Sequence, residues 1–200
     1  MDARTNEVVA SLAVDGEAEG LAINPAGTLV CITSENGNDV SMIDAPHNVV
    51  LKTIAVGQRP RDAAFSPDGS LLYVPGEADH SLSVIDVQSM TVIKTVKVPD
   101  EHSLPKGVAV SRDGRRIYVS TGHGGHVVAY DAKTFAVIAN VAVGARPWGI
   151  ALSPDSRYLY TANGPSNDVS VVDTESMTVI ATVKVGNRPW GVATIAAAAH

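Results

Sequence analysis

An internal repeat is the feature that most constrains what this chain can fold into. An aspartate closes each of four runs rich in valine and isoleucine, at intervals of 42, 45 and 42 residues: Asp44, Asp86, Asp131 and Asp173. Thirteen residues before these aspartates stand Cys31, Tyr73, Tyr118 and Tyr160. Independent markers with one shared period indicate tandem structural units.

Each period contains four short runs of strand-forming residues. In the fourth repeat they are residues 149–152, 158–161, 169–172 and 178–183. Valine, isoleucine, threonine and tyrosine dominate them, and turn sequences such as Ser66–Gly69 separate them. Four strands in every ~40–45 residues are typical of the blades of a β-propeller.

The predicted fold class is all-β, a β-propeller of four-stranded antiparallel blades with four complete blades and one extra strand at each end. A single propeller domain spans residues 1–195, with repeats at about 15–56, 57–98, 99–143 and 144–185. The extra strands are an outer strand at 6–14 and an inner strand at 191–195, followed by a tail at 196–200. Because neither extra strand has a complete blade around it, we interpret the chain as a fragment of a larger propeller.

Composition excludes several classes of protein. Apolar residues make up 45% and charged residues 18% of the 200, which is enough to build a folded core. The net charge of −6 argues against a nucleic-acid partner, and no apolar run is long enough for a membrane span. The single cysteine, Cys31, excludes an intrachain disulfide. No cofactor is predicted, because the sequence contains no phosphate loop, nucleophile elbow or His-Glu-x-x-His motif.

The segments Arg157–Asn163 and Asn167–Asp173 resemble the YVTN β-propeller repeat family. Within that family, Leu159–Asp173 and Val185–Val192 are most similar to bacterial propeller proteins associated with PQQ-dependent alcohol catabolism. The resemblance implies a parent propeller of roughly seven blades. It also implies a periplasmic or secreted location.

Two sets of loops are predicted to share one face of the propeller, because the turns of a meander alternate between its ends. The links between blades lie near the central channel, and the loops that include 34–38 and 76–80 lie farther out. The links carry the first candidate site: Arg59, Arg61, Lys106, Arg146, Trp148, Arg188 and Trp190, with Glu17 and Glu19 in the first repeat. Arginine pairs with carboxylates or phosphates, and tryptophan offers a stacking surface. The site would suit a small anionic or aromatic ligand or a protein partner; alternatively, these residues only pack neighbouring blades.

The second candidate site consists of His102, His123 and His126 in the third repeat. Three imidazoles are a suitable ligand set for zinc or copper. Glycine-rich loops hold ligands poorly, however, and exposed loop histidines without a metal are the favoured interpretation. No metal is therefore predicted.

Three functions are compatible with these observations. The leading one is a non-catalytic binding or scaffold protein, linked by resemblance to periplasmic quinoprotein alcohol catabolism. The second is part of a propeller enzyme, either a lactonase or a quinone- or haem-linked dehydrogenase subunit. The third is a cell-surface structural repeat protein. Because an array of four blades exposes an apolar face at each end, end-to-end self-association is also expected.

Overall fold

Sixteen β-strands form four sheets within residues 2–100 and 102–195, which the computed structural model describes. Blade 1 comprises β1 (Ala18–Ile23), β2 (Leu29–Ser34), β3 (Asp39–Asp44) and β4 (Val49–Ala55). Blade 2 comprises β5 (Ala64–Phe65), β6 (Leu71–Gly76), β7 (Ser81–Asp86) and β8 (Thr91–Lys97). Blade 3 comprises β9 (Val108–Val110), β10 (Arg116–Ser120), β11 (His126–Asp131) and β12 (Val137–Ala142). Blade 4 comprises β13 (Pro147–Leu152), β14 (Tyr158–Asn163), β15 (Asp168–Asp173) and β16 (Thr178–Lys184).

Each blade is an antiparallel meander whose strands are hydrogen-bonded in sequence order, which confirms the predicted fold class. Between the first and second strands, Gly27, Gly69 and Gly114 have φ of 69°, 73° and 70°. Ser156 occupies the equivalent position of blade 4 with φ 59°. In the described residues the only helix is a 3-10 turn at Gly122–Gly124, and none of them forms a helix suited to crossing a membrane.

The core lies between consecutive blades. Cys31 and Met42 of blade 1 pack with Leu72 and Val74 of blade 2, and similar clusters join blade 2 to blade 3 and blade 3 to blade 4. The repeated tyrosine position is buried in blades 2 and 3, where Tyr73 and Tyr118 are each 1% exposed. Tyr160 is only half-buried, because it points away from blade 3. Blade-to-blade packing therefore organises the whole molecule.

The prediction of an extra strand at each end is wrong. Residues 6–14 are exposed and form no strand, because no described strand lies beside them to complete a ladder. Residues 191–195 also form no strand. Just before them, the Trp190 carbonyl accepts a hydrogen bond from the Gly149 amide of β13 at 3.1 Å. The predicted tail at 196–200 lies outside the described residues.

Candidate functional site

A pocket of about 270 Å³ opens at the inner edge of the propeller, where each blade begins. One position of the repeat supplies Glu19, Arg61, Lys106, Trp148 and Trp190 to its wall. The next position supplies Gly20, Asp62, Gly107, Gly149 and Gly191, and Leu21 completes the lining. We call this the mouth pocket. It brings together four of the seven predicted binding residues.

Three of the predicted basic residues are held by two carboxylates, Glu35 and Glu77. Lys106 Nζ donates to Glu77 Oε1 at 2.6 Å, and Arg61 Nε donates to Glu77 Oε2 at 2.5 Å. Arg59 Nε donates to Glu35 Oε1 at 2.8 Å, and Arg61 also contacts Glu35. These basic side chains therefore form an internal ion-pair network across blades 1 to 3.

The network shifts the proton affinities of its members. Burial alone would raise the pKa of Glu77, but hydrogen bonds and charges from Lys106 and Arg61 hold it below its ordinary value. Burial lowers the pKa of Lys106, and the contact with Glu77 offsets only part of that effect. Glu77 is therefore ionised at neutral pH and fixed in place by its partners.

Sequence reasoning missed Glu35 and Glu77, because it placed their loops farther from the channel. Each is only 4% exposed, and these loops reach inward to the links between blades. The Glu35 amide donates to the Glu17 carbonyl at 3.0 Å, and the Glu77 amide to the Arg59 carbonyl at 3.1 Å. The sequence feature that could have revealed them is their shared position in the repeat, four residues after Cys31 and Tyr73.

The blade 4 side of the mouth pocket is aromatic and basic. The rings of Trp148 and Trp190 meet edge to face at an interplanar angle of 70°, and the Arg146 guanidinium lies 4.9 Å from the Trp148 ring centroid. Trp148 Nε1 and Arg146 Nε are buried donors without a hydrogen-bond partner among the described residues. Buried donors are normally paired, so each of these two can still donate a hydrogen bond to an acceptor.

The three arginines that precede prolines share an unusual backbone conformation. Arg59, Arg146 and Arg188 have φ of 55°, 53° and 50°, in the left-handed region that glycine prefers. The side chains of Asn38 and Asn167 accept the amides of Arg59 and Arg188 at 2.9 and 2.8 Å, and thereby hold these links. Arg188 is exposed, and its side chain forms no ion pair with any residue that the structure describes.

Asp62 is a half-buried carboxylate in the mouth pocket. Its oxygens accept the Ala63 amide at 2.9 Å and the Val108 amide at 3.1 Å. Burial raises the pKa of Asp62 to about 6, although the two amides oppose that shift. Asp62 was not singled out from the sequence; the signal was an acid at a position where the other repeats have glycine.

The structure does not bring the three candidate histidines together. His126 Nδ1 contacts the carbonyl of Gly124, whereas His102 and His123 are exposed. In the part of the chain that the structure describes, the one group with metal-ligating spacing is Glu17, Glu19 and Glu35. Glu35 already forms salt bridges with Arg59 and Arg61, so this group of glutamates is part of the ion-pair network and not a free metal site.

The fold and the mouth pocket define a β-propeller with a small polar and aromatic site at its inner edge. Residues 45–187 match the family model of the lactonases with a seven-bladed β-propeller. The chain belongs to that family, which supports the expectation of a roughly seven-bladed parent. No curated protein sequence matches the chain significantly.

Solved structures share the fold. Hydrazine synthase of Kuenenia stuttgartiensis is 25% identical with a TM-score of 0.79, over 89% of this chain and 51% of that one. A functionally unknown protein from Desulfotomaculum acetoxidans DSM 771 is 22% identical with a TM-score of 0.79, over 95% and 65%. Dihydro-heme d1 dehydrogenase NirN in complex with DHE is 20% identical with a TM-score of 0.78, over 94% and 42%. The chain thus spans less than two thirds of each of these proteins.

Proposed function

We propose that the mouth pocket binds a small organic anion with a planar apolar body, and that the protein acts as a binding propeller. The observation that carries this proposal is the pair of unpartnered buried donors, Trp148 Nε1 and Arg146 Nε. A carboxylate or phosphate oxygen would satisfy both of them, and hydrogen bonds to charged acceptors are the stronger kind.

Charge balance directs the anion to the blade 4 side of the pocket. Arg59, Arg61 and Lys106 already have carboxylate partners, which leaves little net positive charge on the side of blades 1 to 3. Arg146 and Arg188 form no ion pair within the described residues. Of the seven predicted residues, Arg146, Trp148 and Trp190 are therefore the proposed ligand contacts, and Arg188 contributes attraction at longer range.

The tryptophans account for the apolar part of the ligand. Trp190 is 64% exposed, an unusual exposure for so large an apolar side chain, and it lines the pocket beside Trp148. An aromatic ring packed against these indoles would gain about 0.5–1.5 kcal/mol beyond the burial of its area. The small pocket volume favours a compact ligand with one ring.

Tryptophan fluorescence tests the proposal directly, because both tryptophans of the chain lie at the pocket. We expect phenylacetate to change the emission with a saturable dependence, and Arg146→Ala to weaken its binding by ~10-fold or more. Arg115→Ala is the matched control, since Arg115 is exposed and paired only with Asp113. An equal effect of both substitutions, or no saturable response, would contradict the proposal.

Lactone hydrolysis is the second candidate function. Family membership favours it, and Asp62 supplies a half-buried carboxylate in the pocket that could accept a proton from an attacking water. The test is hydrolysis of simple lactones by the protein, with Asp62→Asn as the control. Binding of phenylacetate without hydrolysis of any lactone would support the binding function and contradict the hydrolytic one.

The resemblance to propellers of PQQ-dependent alcohol catabolism supports a role in that process in the periplasm. It rests on the segments Leu159–Asp173 and Val185–Val192. Fractionation of a producing bacterium and the gene neighbourhood of the full-length protein test this proposal. A cytoplasmic protein encoded away from quinoprotein genes would contradict it.

A further inference from the structure

One residue of the mouth pocket departs from the repeat. The position after the wall residues Glu19, Lys106, Trp148 and Trp190 is glycine in every case. After Arg61 it is Asp62. A tandem repeat offers an internal comparison, since the same backbone position is filled several times in one molecule.

Close packing of the inner strands requires glycine at three of these four positions, whereas Gly191 has open space around a Cβ. A Cβ at Gly20 would lie 2.6 Å from the carbonyl oxygen of Arg61, and a Cβ at Gly107 would lie 2.5 Å from that of Trp148. At Gly149 it would lie 2.7 Å from the Cα of Gly191. In each case the obstacle is backbone, which cannot rotate away. A larger residue is therefore tolerated only where the local structure is rearranged.

Blade 2 shows such a rearrangement around Asp62. Its inner strand β5 has two residues, whereas β1 and β13 have six. The Gly20 and Gly107 amides donate to the hydroxyls of Thr33 and Ser120 at 2.8 Å, but Pro75 takes the equivalent place in blade 2 and offers no hydroxyl. Blade 2 thus has the shortest inner strand, with two residues against three in β9, and its Asp62 lies in the pocket together with Glu19.

The groups around Asp62 leave it available to a ligand. The titratable residues that face it are Glu19 and Cys31 from blade 1, the adjacent Arg61, and Lys106 from blade 3. Arg61 and Lys106 are engaged with Glu35 and Glu77, and Asp62 has no salt bridge among the described residues. Each of its oxygens accepts one amide and retains further acceptor capacity.

We infer that Asp62 accepts a hydrogen bond from a hydroxyl group of the ligand, so that the mouth pocket selects aromatic hydroxy acids over the corresponding acids without the hydroxyl. The inference rests on the proposed function, in which Arg146 and Trp148 hold the ligand's carboxylate. Trp148 of blade 4 and Asp62 of blade 2 both line the same small pocket, and the Arg146 guanidinium lies 4.9 Å from the Trp148 ring centroid.

A neutral hydroxyl fits this acceptor better than an ammonium group. Arg61 and Lys106 line the same pocket, so a ligand ammonium at Asp62 would be placed beside two cations. A hydroxyl donates one hydrogen bond without that repulsion. A ligand without the hydroxyl leaves the remaining acceptor capacity of Asp62 unfilled, and this lowers its affinity relative to the hydroxy acid.

The test compares mandelate with phenylacetate, which lacks only the hydroxyl. Tryptophan fluorescence titrations at pH 7.5 use the whole chain, with each enantiomer of mandelate. We expect the better enantiomer to bind ~10-fold or more tightly than phenylacetate. In Asp62→Gly, which restores the residue of the other repeats, the ratio should fall to about one. Asp62→Asn, which keeps a carbonyl acceptor without the charge, should give an intermediate ratio.

The outcomes separate the inference from the function on which it rests. Saturable phenylacetate binding with no advantage for mandelate would overturn the role of Asp62 alone. The same holds if Asp62→Gly unfolds at a lower temperature while Asp62→Asn keeps the wild-type ratio, because the carboxylate would then serve only to join blades. Tighter binding of phenylalanine than of mandelate would reassign the site to zwitterions. No binding of any probe would remove both proposals.

Discussion

Glycine is needed at two kinds of position in this repeat, and the reasons differ. In the turns between the first two strands, glycine adopts a left-handed conformation. Gly27 has φ 69°, and a Cβ added there would meet no other atom within 4 Å. At the inner-strand entries the constraint is distance, since Gly20 lies against the backbone of Arg61 and Asp62. The first constraint is conformational, and the second concerns contact between blades.

These two constraints predict different costs. Gly27→Ala should lower the free energy of unfolding by about 1 kcal/mol, because only backbone conformation is affected. Gly20→Ala should cost about 2–3 kcal/mol, because the inner strands of blades 1 and 2 must separate. Urea denaturation of both variants measures the difference. Equal losses of unfolding free energy in the two variants would show that the inner strands of blades 1 and 2 can move apart at little cost.

The titration of Asp62 predicts a pH dependence of ligand binding. Burial raises its pKa to about 6, so it is ionised at pH 7.5 and mostly neutral at pH 5. Loss of its negative charge favours a bound anion that offers no hydroxyl, and phenylacetate itself stays largely ionised with a carboxyl pKa of about 4. Phenylacetate should therefore bind several-fold more tightly at pH 5 than at pH 7.5.

Asp62→Gly is the control for this titration. It should remove the pH dependence between 5 and 7.5, because the titrating carboxyl is gone. A variant that keeps the wild-type profile would show that Asp62 is not the group responsible. The measurement is again fluorescence titration of the two tryptophans.

The strands and turns of the blades were predictable because the residue pattern is local. The short apolar runs at a fixed place in each repeat predicted the inner strands near 20–24, 62–66, 107–111 and 149–153, and β1, β5, β9 and β13 lie there. The loops of Glu35 and Glu77 were misplaced, because no local pattern shows that a loop bends towards a neighbouring blade. Ion pairing between blades is a tertiary property. It shows that Arg59, Arg61 and Lys106, predicted as ligand-binding residues, are paired with Glu35 and Glu77.

Glu77, in the loop before β7, allows the contribution of this ion pairing to stability to be tested. Glu77→Gln should lower the free energy of unfolding by about 2–4 kcal/mol, since it leaves Lys106 buried without a charged partner and removes one of the carboxylates that pair with Arg61. The pKa of Glu77 is lowered in the folded protein, so its contribution is present at neutral pH and is lost as the pH falls through that depressed value.

Asp113→Asn is the matched control, because the pair of Asp113 with Arg115 is exposed. Pairs of that kind contribute about 0–1 kcal/mol. Thermal or urea unfolding at pH 7 and pH 4 compares both variants with the wild type. If the two substitutions cost the same at pH 7, the internal network contributes no more than a surface pair.

At the scale of the whole molecule, the outward face of blade 4 is apolar. Tyr160 and Val171 are directly opposite each other in the ladder, and Val183 lies on the same face with 52% of its surface exposed. Leu21, on the outward face of blade 1, is 59% exposed. The repeat count alone predicted such faces, but it could not show how they are covered.

We expect these faces to drive self-association of this chain. Sedimentation velocity should show a sedimentation coefficient that rises with concentration, and Val171→Glu should suppress the rise by placing a charge on the blade 4 face. Val137→Glu is the control, since Val137 is 47% exposed on the outer strand of blade 3. A monomer at every concentration would contradict this expectation.

Because each repeat contributes one side chain to the wall of the mouth pocket, chemistry and folding are encoded at separate positions. The blade cores use the alternating residues of the strands, whereas Arg61, Lys106, Trp148 and Trp190 stand outside that pattern. A combinatorial library at Trp148 and Trp190, which form no salt bridge in the network of Glu35 and Glu77, would sample many ligand preferences on one scaffold. Duplication of a blade would bring one more such position with it, which gives this architecture a simple route to new specificities.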